Sequence, residues 1–510
     1  MPLIGALIKQ GLKLGTRVKL REVAPAKQQF KELKKLLTKA EETSFGRHYN
    51  FSEILANKNL AKHFQENVPV FNYSSIYEKW WHRCLKEEED ICWPGHVKYF
   101  ALSSGTSDSA SKHIPVTSDM IRALRKASIR QILTLGKYDL PSAFFEKGIL
   151  WLGGSTDLNQ NGGYYEGDVS GISARRVPIW FQRYYKPGNK ISKEKDWNIK
   201  LEEITLQAKN WDIGIITGVP AWIQILLEKV ISHYKLKTIH DIWPNLRIYA
   251  HGGVSFEPYK NSFAKYFSSP VYYIEMYPAS EGFIAFQADP DTRSMKLILN
   301  NGIYYEFIPF NDANFNEAGE PKENAKALTI NEVQKNVDYA LLISTCAGAW
   351  RYLIGDVIRF TDTENCEIII TGRTKHFLSL VGEHLSVDNM NQAIAQVATE
   401  FKIDIREYTV SGIPYDGTFA HQWYIGADAQ INEQQVKIRL DSILKELNDD
   451  YAVERGSALK DIFVKTVPVE KFYGYMNSKG KLGGQNKFPR VLKSSQLEEW
   501  KLYLENGSAH

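Results

Sequence analysis

A serine-rich segment that ends in a lysine, residues 103–112, has the clearest capacity for chemistry in this sequence. Most of its side chains are hydroxyls. A flexible loop of this kind offers several backbone N–H groups and hydroxyls to one anion, and Lys112 adds a full positive charge. The segment follows an apolar run, residues 97–102, that is typical of a strand. We therefore predict a phosphate-binding loop at a strand end, formed by Ser103, Ser104, Gly105, Thr106, Ser107 and Lys112.

The loop alone does not decide the function. It lacks the Gly-x-x-x-x-Gly-Lys-[Ser/Thr] spacing of the P-loop nucleotide-binding proteins. Its composition also fits a plain surface loop. Other segments must therefore supply the argument.

Four further segments carry glycines or polar side chains next to predicted strands. They are Gly252-Gly253, residues 277–281 (Tyr-Pro-Ala-Ser-Glu), residues 350–356 (Trp-Arg-Tyr-Leu-Ile-Gly-Asp) and residues 372–375 (Gly-Arg-Thr-Lys). Each has an ordinary explanation by itself, such as a turn or a helix-terminal charge. In an open α/β sheet, however, the loops that follow the strands converge on one crevice, where ligands bind. Their joint occurrence predicts a single binding site.

The elements that must position these segments alternate between strands and helices. Strands are predicted at 148–152, 213–216, 246–250 and 271–276, and helices at 119–135, 221–231 and 258–267. Alternation of this kind predicts a mostly parallel sheet with helices on both faces, an α/β fold.

The pattern changes from about residue 295. Short strands with polar turns predict an antiparallel sheet or a small β-barrel-like part, and after Gly372-Arg373 a smaller α+β segment begins. We predict two domains, a large N-terminal domain of residues 1–375 and a smaller, mobile C-terminal domain of residues 376–510.

Composition excludes some classes of protein. A net charge of +4 on 510 residues argues against a dedicated nucleic-acid binder. The longest uncharged stretch, residues 213–227, contains two glycines and a proline, so we expect no transmembrane segment. Four scattered cysteines predict reduced thiols. We expect a cytoplasmic protein, without a signal peptide and monomeric, whose N-terminal residues form an amphipathic helix on the body.

The order of the five segments resembles the acyl-adenylate-forming superfamily. In detail it is most similar to the acyl acid–amido synthetase family, which contains the auxin- and jasmonate-conjugating enzymes of plants and their bacterial relatives. The resemblance covers nearly the whole chain, from about residue 45 to residue 490. The family motif Ser-Ser-Gly-Thr-[Ser/Thr]-x-Gly-x-x-Lys is matched by residues 103–112. The motifs Tyr-x-Ser-Ser-Glu and Tyr-Arg-x-Gly-Asp are matched by Tyr277, Ser280, Glu281, Tyr352, Gly355 and Asp356.

The resemblance implies roles for these residues in binding ATP and Mg²⁺. Asp356 would hold the ribose hydroxyls, and Gly252, Gly253 and Tyr277 would frame the adenine. The serine-rich loop and Lys112 would hold phosphates, and Glu281 would hold Mg²⁺. Ser280, Tyr352 and Arg373 would belong to the same nucleotide site.

The resemblance also implies a hinge and a mobile loop. Residues 372–375 resemble the superfamily's hinge, with Lys375 as the pivot. Residues 484–490 resemble its mobile C-terminal loop, whose lysine, here Lys487, reaches the active site. Catalysis would then depend on Lys112, Lys487 and Glu281.

Three positions depart from the family pattern. Ser109 stands in place of the second glycine of the loop, and Ala279 in place of a serine. Leu353 replaces an arginine, and Arg351, two residues earlier, could substitute for it.

The implied reaction is the ATP-dependent activation of a carboxylic acid as an acyl adenylate, followed by transfer to an amine, most simply an amino acid. Two alternatives stay open: an acyl-CoA ligase, and a non-catalytic nucleotide-binding relative. The acid itself is not identified. Trp151, Phe181, Trp222 and Tyr249 could line an aromatic-acid pocket, although core packing is the better explanation because aromatic residues are abundant in this sequence.

Overall fold

The computed structural model describes residues 3–17, 23–103, 112–175, 177, 181–253, 256, 259–316, 319–374, 378, 383, 385–416, 418–429, 431–455, 459–480 and 487–506. We number helices and strands in chain order.

In the described part of the chain before the first strand, seven α-helices occur. They are α1 (Leu3–Arg17), α2 (Pro25–Ala40), α3 (Ser44–His48), α4 (Phe51–Ala56), α5 (Leu60–Asn67), α6 (Tyr73–Ile76) and α7 (His82–Leu85), with a π-helical turn at Tyr77–Trp81. Helix α2 begins at a proline, whose missing N–H is harmless in the first turn. Its buried residues Leu33, Leu36 and Leu37 lie at helical spacing and join the main core.

A four-stranded sheet carries the serine-rich segment. Its strands are β1 (Tyr99–Ser103), β2 (Lys112–Val116), β4 (Asn159–Asn161) and β5 (Tyr164–Gly167), in the order β2-β1-β5-β4. Strands β1 and β2 are antiparallel, and Ser103 lies directly opposite Lys112. The segment between them therefore connects two paired strands.

The predicted parallel sheet is present. It contains β3 (Gly148–Trp151), β6 (Tyr185–Lys186), β7 (Ile213–Thr217), β8 (Ile248–Gly252) and β9 (Tyr272–Ala279), paired in the order β6-β3-β7-β8-β9. Helices in this region are α8 (Ser118–Thr134), α9 (Val169–Ala174), α10 (Asn189–Ser192), α11 (Trp197–Gln207), α12 (Pro220–Tyr234) and α13 (Lys260–Ala264). Short 3-10 helices occur at Leu135–Lys137, Ser142–Glu146, Ala208–Asn210 and Ile239–Asp241. Helix α12 begins at Pro220, as predicted, and its apolar face is buried on this sheet.

The predicted antiparallel strands are present, and they continue this sheet from β9; the described strands form no separate β-barrel-like part. They are β10 (Gly282–Phe286), β11 (Met295–Leu297), β12 (Ile303–Pro309), β13 (Asp338–Thr345), β14 (Tyr352–Asp362) and β15 (Glu367–Arg373). The complete order is β12-β13-β14-β15-β11-β10-β9-β8-β7-β3-β6. The junction is the tight turn between β9 and β10, where Gly282 pairs with Ala279 and β10 turns back along β9. The α/β class is confirmed.

The last part of the chain has its own sheet and cores. It contains β16 (Glu407–Tyr415), β17 (Thr418–Gly426) and β18 (Leu459–Val467), with α14 (Val387–Phe401), α15 (Glu433–Leu447), α16 (Asp449–Arg455), α17 (Val469–Ser478) and α18 (Ser494–Asn506). One core lies between α14, α15 and the sheet, and another surrounds Trp500. The smaller α+β part is confirmed, whereas the predicted pivot, Lys375, lies outside the described residues.

Two further expectations concern membranes and cysteines. Among the described residues, no helix has both the length and the apolar character needed to cross a bilayer. Cys84, Cys92, Cys346 and Cys366 are buried free thiols. Burial raises the pKa of Cys84 and Cys346 to about 12, so these thiols stay protonated at neutral pH.

Candidate active site

A cavity of about 1520 Å³ opens where the parallel strands end. Trp151, Thr217 and Gly252, the last residues of β3, β7 and β8, all line it. This is the crevice at which ligands are expected in an open α/β sheet. It is also lined by ten of the residues that the sequence singled out: Lys112, Gly252, Gly253, Tyr277, Ser280, Glu281, Tyr352, Asp356, Arg373 and Lys487.

The remaining members of the predicted site belong to the serine-rich loop. Ser103 ends β1. Ser104, Gly105, Thr106 and Ser107 lie outside the described residues. Their roles stay predictions.

Asp356 is the centre of the polar part of the cavity. Its Oδ1 accepts a hydrogen bond of 2.7 Å from Nε of Arg373, and its Oδ2 accepts one of 2.5 Å from the hydroxyl of Tyr277. Asp356 and Arg373 lie directly opposite each other on β14 and β15, so strand pairing itself forms the ion pair. The Asp356 charge raises the pKa of Arg373. A carboxylate has about four acceptor positions, so Asp356 can still accept hydrogen bonds from two ligand hydroxyls.

The sequence predicted that residues 350–356 and 277–281 were loops after strands, and both predictions were partly wrong. Asp356 lies within β14, which begins at Tyr352. Tyr277 lies within β9, which extends to Ala279. The strands are longer than their apolar runs because cross-strand pairing, with Arg373 in one case and with β10 in the other, continues through polar residues.

Glu281 is a buried carboxylate in the turn between β9 and β10. It is 8% exposed. Burial raises the pKa of Glu281 to about 7, with a smaller contribution from Asp356, whereas Lys112 and Arg373 act in the opposite direction. The hydroxyl of Tyr352 donates a hydrogen bond to Glu281, and burial together with the Glu281 charge raises the pKa of Tyr352. A cation placed beside Glu281 would offset the cost of ionising it here.

The two glycines after β8 are required by close approaches of the chain. A Cβ atom on Gly252 would lie 2.4 Å from the carbonyl oxygen of Met276 on the neighbouring strand. Gly253 has a φ of +85°, and a Cβ there would lie 3.1 Å from Nζ of Lys487. Both glycines line the cavity, and their expected role beside the adenine stays a prediction.

Lys487 reaches this edge from the C-terminal part of the chain. Its ammonium group donates a hydrogen bond to the carbonyl oxygen of Gly253. The group is exposed to the cavity but surrounded by protein, and this desolvation lowers the pKa of Lys487 to about 8. Arg373 and Arg490 contribute further to that lowering, and Asp356 opposes it.

A buried polar network holds the segment that carries Lys487. Nη1 of Arg490 donates a hydrogen bond of 2.6 Å to the carboxylate of Glu407 and one of 3.0 Å to the carbonyl oxygen of Tyr408. The hydroxyl of Tyr259, which directly precedes α13, donates a hydrogen bond of 3.1 Å to the same Glu407 carboxylate. Tyr259 and Glu407 were missed by the sequence analysis, since neither belongs to a recognisable motif and they are 148 positions apart.

Lys112 lines the cavity from the first position of β2. Its Nζ lies 5.3 Å from the ring centroid of Tyr73, a cation–π contact. The hydroxyl of Tyr73 accepts a hydrogen bond of 2.9 Å from the backbone N–H of His113. Tyr73 therefore positions the start of β2, another role that local sequence did not indicate.

Arg351 does not take the place of the arginine that Leu353 replaces. Its guanidinium is buried against Glu306, with Nε 3.1 Å from Oε2, and Nη1 donates to the carbonyl oxygens of Gln65 and Val68. Leu353 packs in the core beside Leu342. Side chains alternate along β14, so Tyr352, Ile354 and Asp356 line the cavity while Leu353 does not. The suggested substitution by Arg351 is wrong.

Two of the four aromatic side chains considered for an acid pocket line the cavity. Trp151 and Phe181 do so, whereas Trp222 and Tyr249 pack in the core around α12. Helix α8 and the 3-10 turn after it contribute five apolar residues to the cavity lining, Ile121, Leu124, Ile129, Ile132 and Leu135, and three polar ones, Arg125, Ser128 and Gln131. The cavity thus has a polar end around Asp356 and a mainly apolar lining from α8.

Comparison with known proteins agrees with this architecture. The chain matches the GH3 family N-terminal domain over residues 18–205, the GH3 family central domain over 296–371 and the GH3 family C-terminal domain over 388–496. It is similar to indole-3-acetic acid-amido synthetase GH3.3 of Arabidopsis thaliana, with 23% identity over 44% of this chain and 40% of that protein. It is also similar to jasmonoyl–L-amino acid synthetase GH3.5 of Oryza sativa subsp. japonica, with 26% identity over 38% of this chain and 36% of that protein. The chain matches half or less of the length of these curated relatives.

Solved structures share the fold over a greater length. The GH3.15 acyl acid amido synthetase superposes with a TM-score of 0.76 at 16% identity, over 94% of this chain and 93% of that one. A 2-hydroxyisobutyryl-CoA ligase in the postadenylation state superposes with a TM-score of 0.61 at 12% identity, over 95% and 92% of the two chains. At these identities the likeness shows the fold alone.

Proposed function

The chain belongs to the GH3 family, and we propose that it is an ATP-dependent, AMP-forming ligase that joins a carboxylic acid to an amine through an acyl adenylate. The amine is proposed to be an amino acid. These substrates match the names of the curated relatives, which are amido synthetases for indole-3-acetic acid and jasmonoyl–amino acid synthetases.

One observation carries the proposal: residues far apart in the chain meet in one cavity with the charges that this reaction needs. Lys112, Lys487 and Arg373 supply positive charge, and Glu281 and Asp356 supply carboxylates. They come from β2, the segment before α18, β15, the β9–β10 turn and β14. A structural ion-pair network has no need of a large cavity at its centre, whereas a nucleotide site does.

In the proposed site each residue acts on a different part of ATP. Asp356, held by Tyr277 and Arg373, accepts hydrogen bonds from the ribose hydroxyls. The edge at Gly252-Gly253 and the Tyr277 ring frame the adenine, because a flat base needs an approach that side chains do not block. Lys112 and the serine-rich loop hold the phosphates.

The residues present also fit Mg²⁺. Mg²⁺ is commonly bound by one or two carboxylates together with substrate phosphate oxygens and waters. The described residues contain no cluster of three or more metal-ligating side chains, so a metal here would depend on substrate oxygens in addition to Glu281. When bound, the ion would offset the negative charge that develops on the leaving pyrophosphate.

The proposed reaction has two steps. In the first, a carboxylate oxygen of the acid bonds to the α-phosphorus, the α–β phosphoanhydride bond breaks, and pyrophosphate leaves with the electron pair. In the second, the amine nitrogen bonds to the activated carbonyl carbon, AMP leaves, and the nitrogen loses a proton. The protein needs no covalent nucleophile. Lys112 and Lys487 supply positive charge, and the cavity orients the reactants.

The first test is a panel of carboxylic acids scored by ATP–pyrophosphate exchange. The proposal requires at least one acid that supports exchange, and Asp356→Asn should weaken that exchange by raising the KM for ATP. ATP binding without exchange for any acid would instead favour the non-catalytic relative. The acceptor is tested next, by measuring AMP release with amino acids and with coenzyme A. Release with coenzyme A alone would identify an acyl-CoA ligase.

We also propose that residues from about 376 onward form the domain that moves between the two steps, with Lys375 as the pivot. Lys487 contacts Gly253 in this conformation, so movement of this domain would withdraw a charge and admit the amine. Lys375→Pro restricts φ at the pivot and should impair one half-reaction more than the other. Equal losses in adenylate formation and amide release would contradict the hinge.

The expectation of a cytoplasmic monomer is retained as part of the proposal. The four buried free thiols support a reducing compartment. Analytical ultracentrifugation tests the monomer, and cell fractionation tests the location.

A further inference from the structure

Three helices, α1, α2 and α8, hold a large excess of positive charge. Their 48 residues include twelve lysines and arginines and two acids, a net charge of +10. The whole chain has a net charge of +4, so the rest of it carries a net charge of −6. The small net charge of the chain is therefore the sum of three strongly basic helices and an acidic remainder.

The basic side chains of α2 and α8 are on the solvent side. Every lysine of α2 is exposed, and so are three of the four basic residues of α8. The acid of α2, Glu32, is only 5% exposed and is held by Lys35 and by the backbone N–H of Gly302. The acid of α8, Asp119, pairs with Arg122. The solvent side is consequently positive.

Helix α8 adjoins both α1 and α2. Helix α1 contacts α8 and packs on the 3-10 turns that follow it. Helices α2 and α8 are close enough for their charges to interact: burial lowers the pKa of Lys126 on α8, and Arg130 and Lys35 lower it further. We call the combined surface of α1, α2 and α8 the basic face.

The basic face also exposes large apolar side chains. Thirteen such side chains are exposed among the described residues, and seven of them lie on these three helices or directly before α2: Leu7, Ile8, Val23, Phe30, Ile129, Ile132 and Leu133. This concentration is far above the share of the chain that the helices represent. Exposed apolar groups scattered singly need no explanation, but a cluster within a basic surface indicates a partner.

We propose that the basic face docks this protein on an anionic lipid bilayer. Lysines and arginines at such a surface attract anionic headgroups, and leucine, isoleucine and phenylalanine side chains enter the boundary between headgroups and acyl chains. A nucleic acid would use the same positive charge but would gain little from the exposed leucines and isoleucines.

The position of the face relative to the cavity supports a lipid surface. Ile129 and Ile132 are exposed on α8 and also line the large cavity. A bilayer at the basic face therefore lies at an apolar edge of the cavity. This docking goes beyond the proposed ligase activity and does not depend on it.

The test is co-sedimentation of the full chain with vesicles, in the absence of ATP and of any acid. Vesicles of phosphatidylcholine alone are compared with vesicles that also contain phosphatidylglycerol. We expect binding to the anionic vesicles, weakening as salt is raised, and little binding to the neutral ones.

Two variants separate the contributions of charge and apolar contact. Lys27, Lys31 and Lys34 are exposed on α2, and changing all three to glutamate should weaken partitioning by about 100-fold or more. The matched control changes Lys209, Lys460 and Lys465, exposed lysines elsewhere, to glutamate and has the same total charge. The control should change the partitioning of the protein onto anionic vesicles by less than about threefold. The double variant L7Q/L133Q should weaken it by about tenfold.

Several results would overturn the docking. These are no binding to anionic vesicles, equal binding to both vesicle types, or equal losses in the α2 triple variant and its control. Binding of duplex DNA by the basic face without vesicle binding would reassign it to a nucleic acid. Circular dichroism of each variant distinguishes loss of docking from loss of fold, and pyrophosphate exchange measured separately tests the ligase proposal on its own.

Discussion

Raising the pH above neutrality should remove the positive charge of Lys487. Desolvation lowers the pKa of Lys487 from the model-peptide value of 10.5 to about 8. The charged form predominates below pH 8 and is lost as the pH rises through that value. About a tenth remains at pH 9, and about a hundredth at pH 10. If this charge serves adenylation, kcat/KM should fall about tenfold per pH unit on the alkaline side, because kcat/KM reports ionisations of the free enzyme.

The assay is ATP–pyrophosphate exchange with the best acid, followed as kcat/KM from about pH 7 to about pH 10. Lys487→Arg keeps a positive charge throughout this range, since the guanidinium pKa is above about 12. In this variant the decrease of kcat/KM at alkaline pH should therefore disappear. Lys487→Ala should be lower by about 10- to 150-fold at pH 7, corresponding to about 1.5–3 kcal/mol for a charge-assisted hydrogen bond, and nearly independent of pH.

The comparison between the variants can refute the reasoning. If kcat/KM decreases at alkaline pH as strongly in Lys487→Arg or in Lys487→Ala as in the unchanged protein, that decrease arises from another group, and the role assigned to Lys487 is then wrong. Thermal unfolding of the three proteins across the same pH range controls for loss of fold.

Further predictions concern the phosphate side, the ribose contact, the anchor of Lys487 and the core. Lys112→Ala should slow adenylation by about 100-fold through loss of transition-state charge stabilisation, and unchanged exchange in the folded variant would count against its role. Asp356→Asn should raise the KM for ATP more than it lowers kcat, and isothermal titration with ATP measures the loss directly. Glu407→Gln removes the carboxylate that anchors the Lys487 segment and should impair adenylation while amide formation from added acyl adenylate persists. Arg351→Met leaves Glu306 buried without its ionic partner and should lower the free energy of unfolding by about 3–5 kcal/mol, which urea denaturation would show. A loss below about 1 kcal/mol would mean that the pair is not buried as described.

Local sequence was sufficient for much of the site. The spacing of Ser103–Lys112, the Tyr-x-x-Ser-Glu order and the Gly355-Asp356 pair are short motifs, and each is specified by residues that are neighbours in the chain. The alternation of apolar runs with helical periods likewise indicated the α/β class, since side-chain periodicity is a local property. These features need no knowledge of which strands pair.

Long-range pairing was decided by the tertiary structure. Asp356 meets Arg373 because β14 and β15 pair in one particular register, and that same register turns Leu353 into the core. Arg351 was a candidate to replace the arginine missing at position 353, but its guanidinium is paired with Glu306, 45 residues earlier. A one-residue change of register would reverse both outcomes, and the register depends on the packing of the whole sheet.

The sequence by itself therefore determined the family, the order of the motifs and the chemical types of the site residues, because these are encoded in short segments. Only the tertiary structure decided that Lys487 reaches Gly253 and that Tyr259, Glu407 and Arg490 hold it there. It also brought α1, α2 and α8 together into one basic face. Contacts of this kind join residues up to hundreds of positions apart, and they form only when burial of the apolar cores fixes how the elements pack.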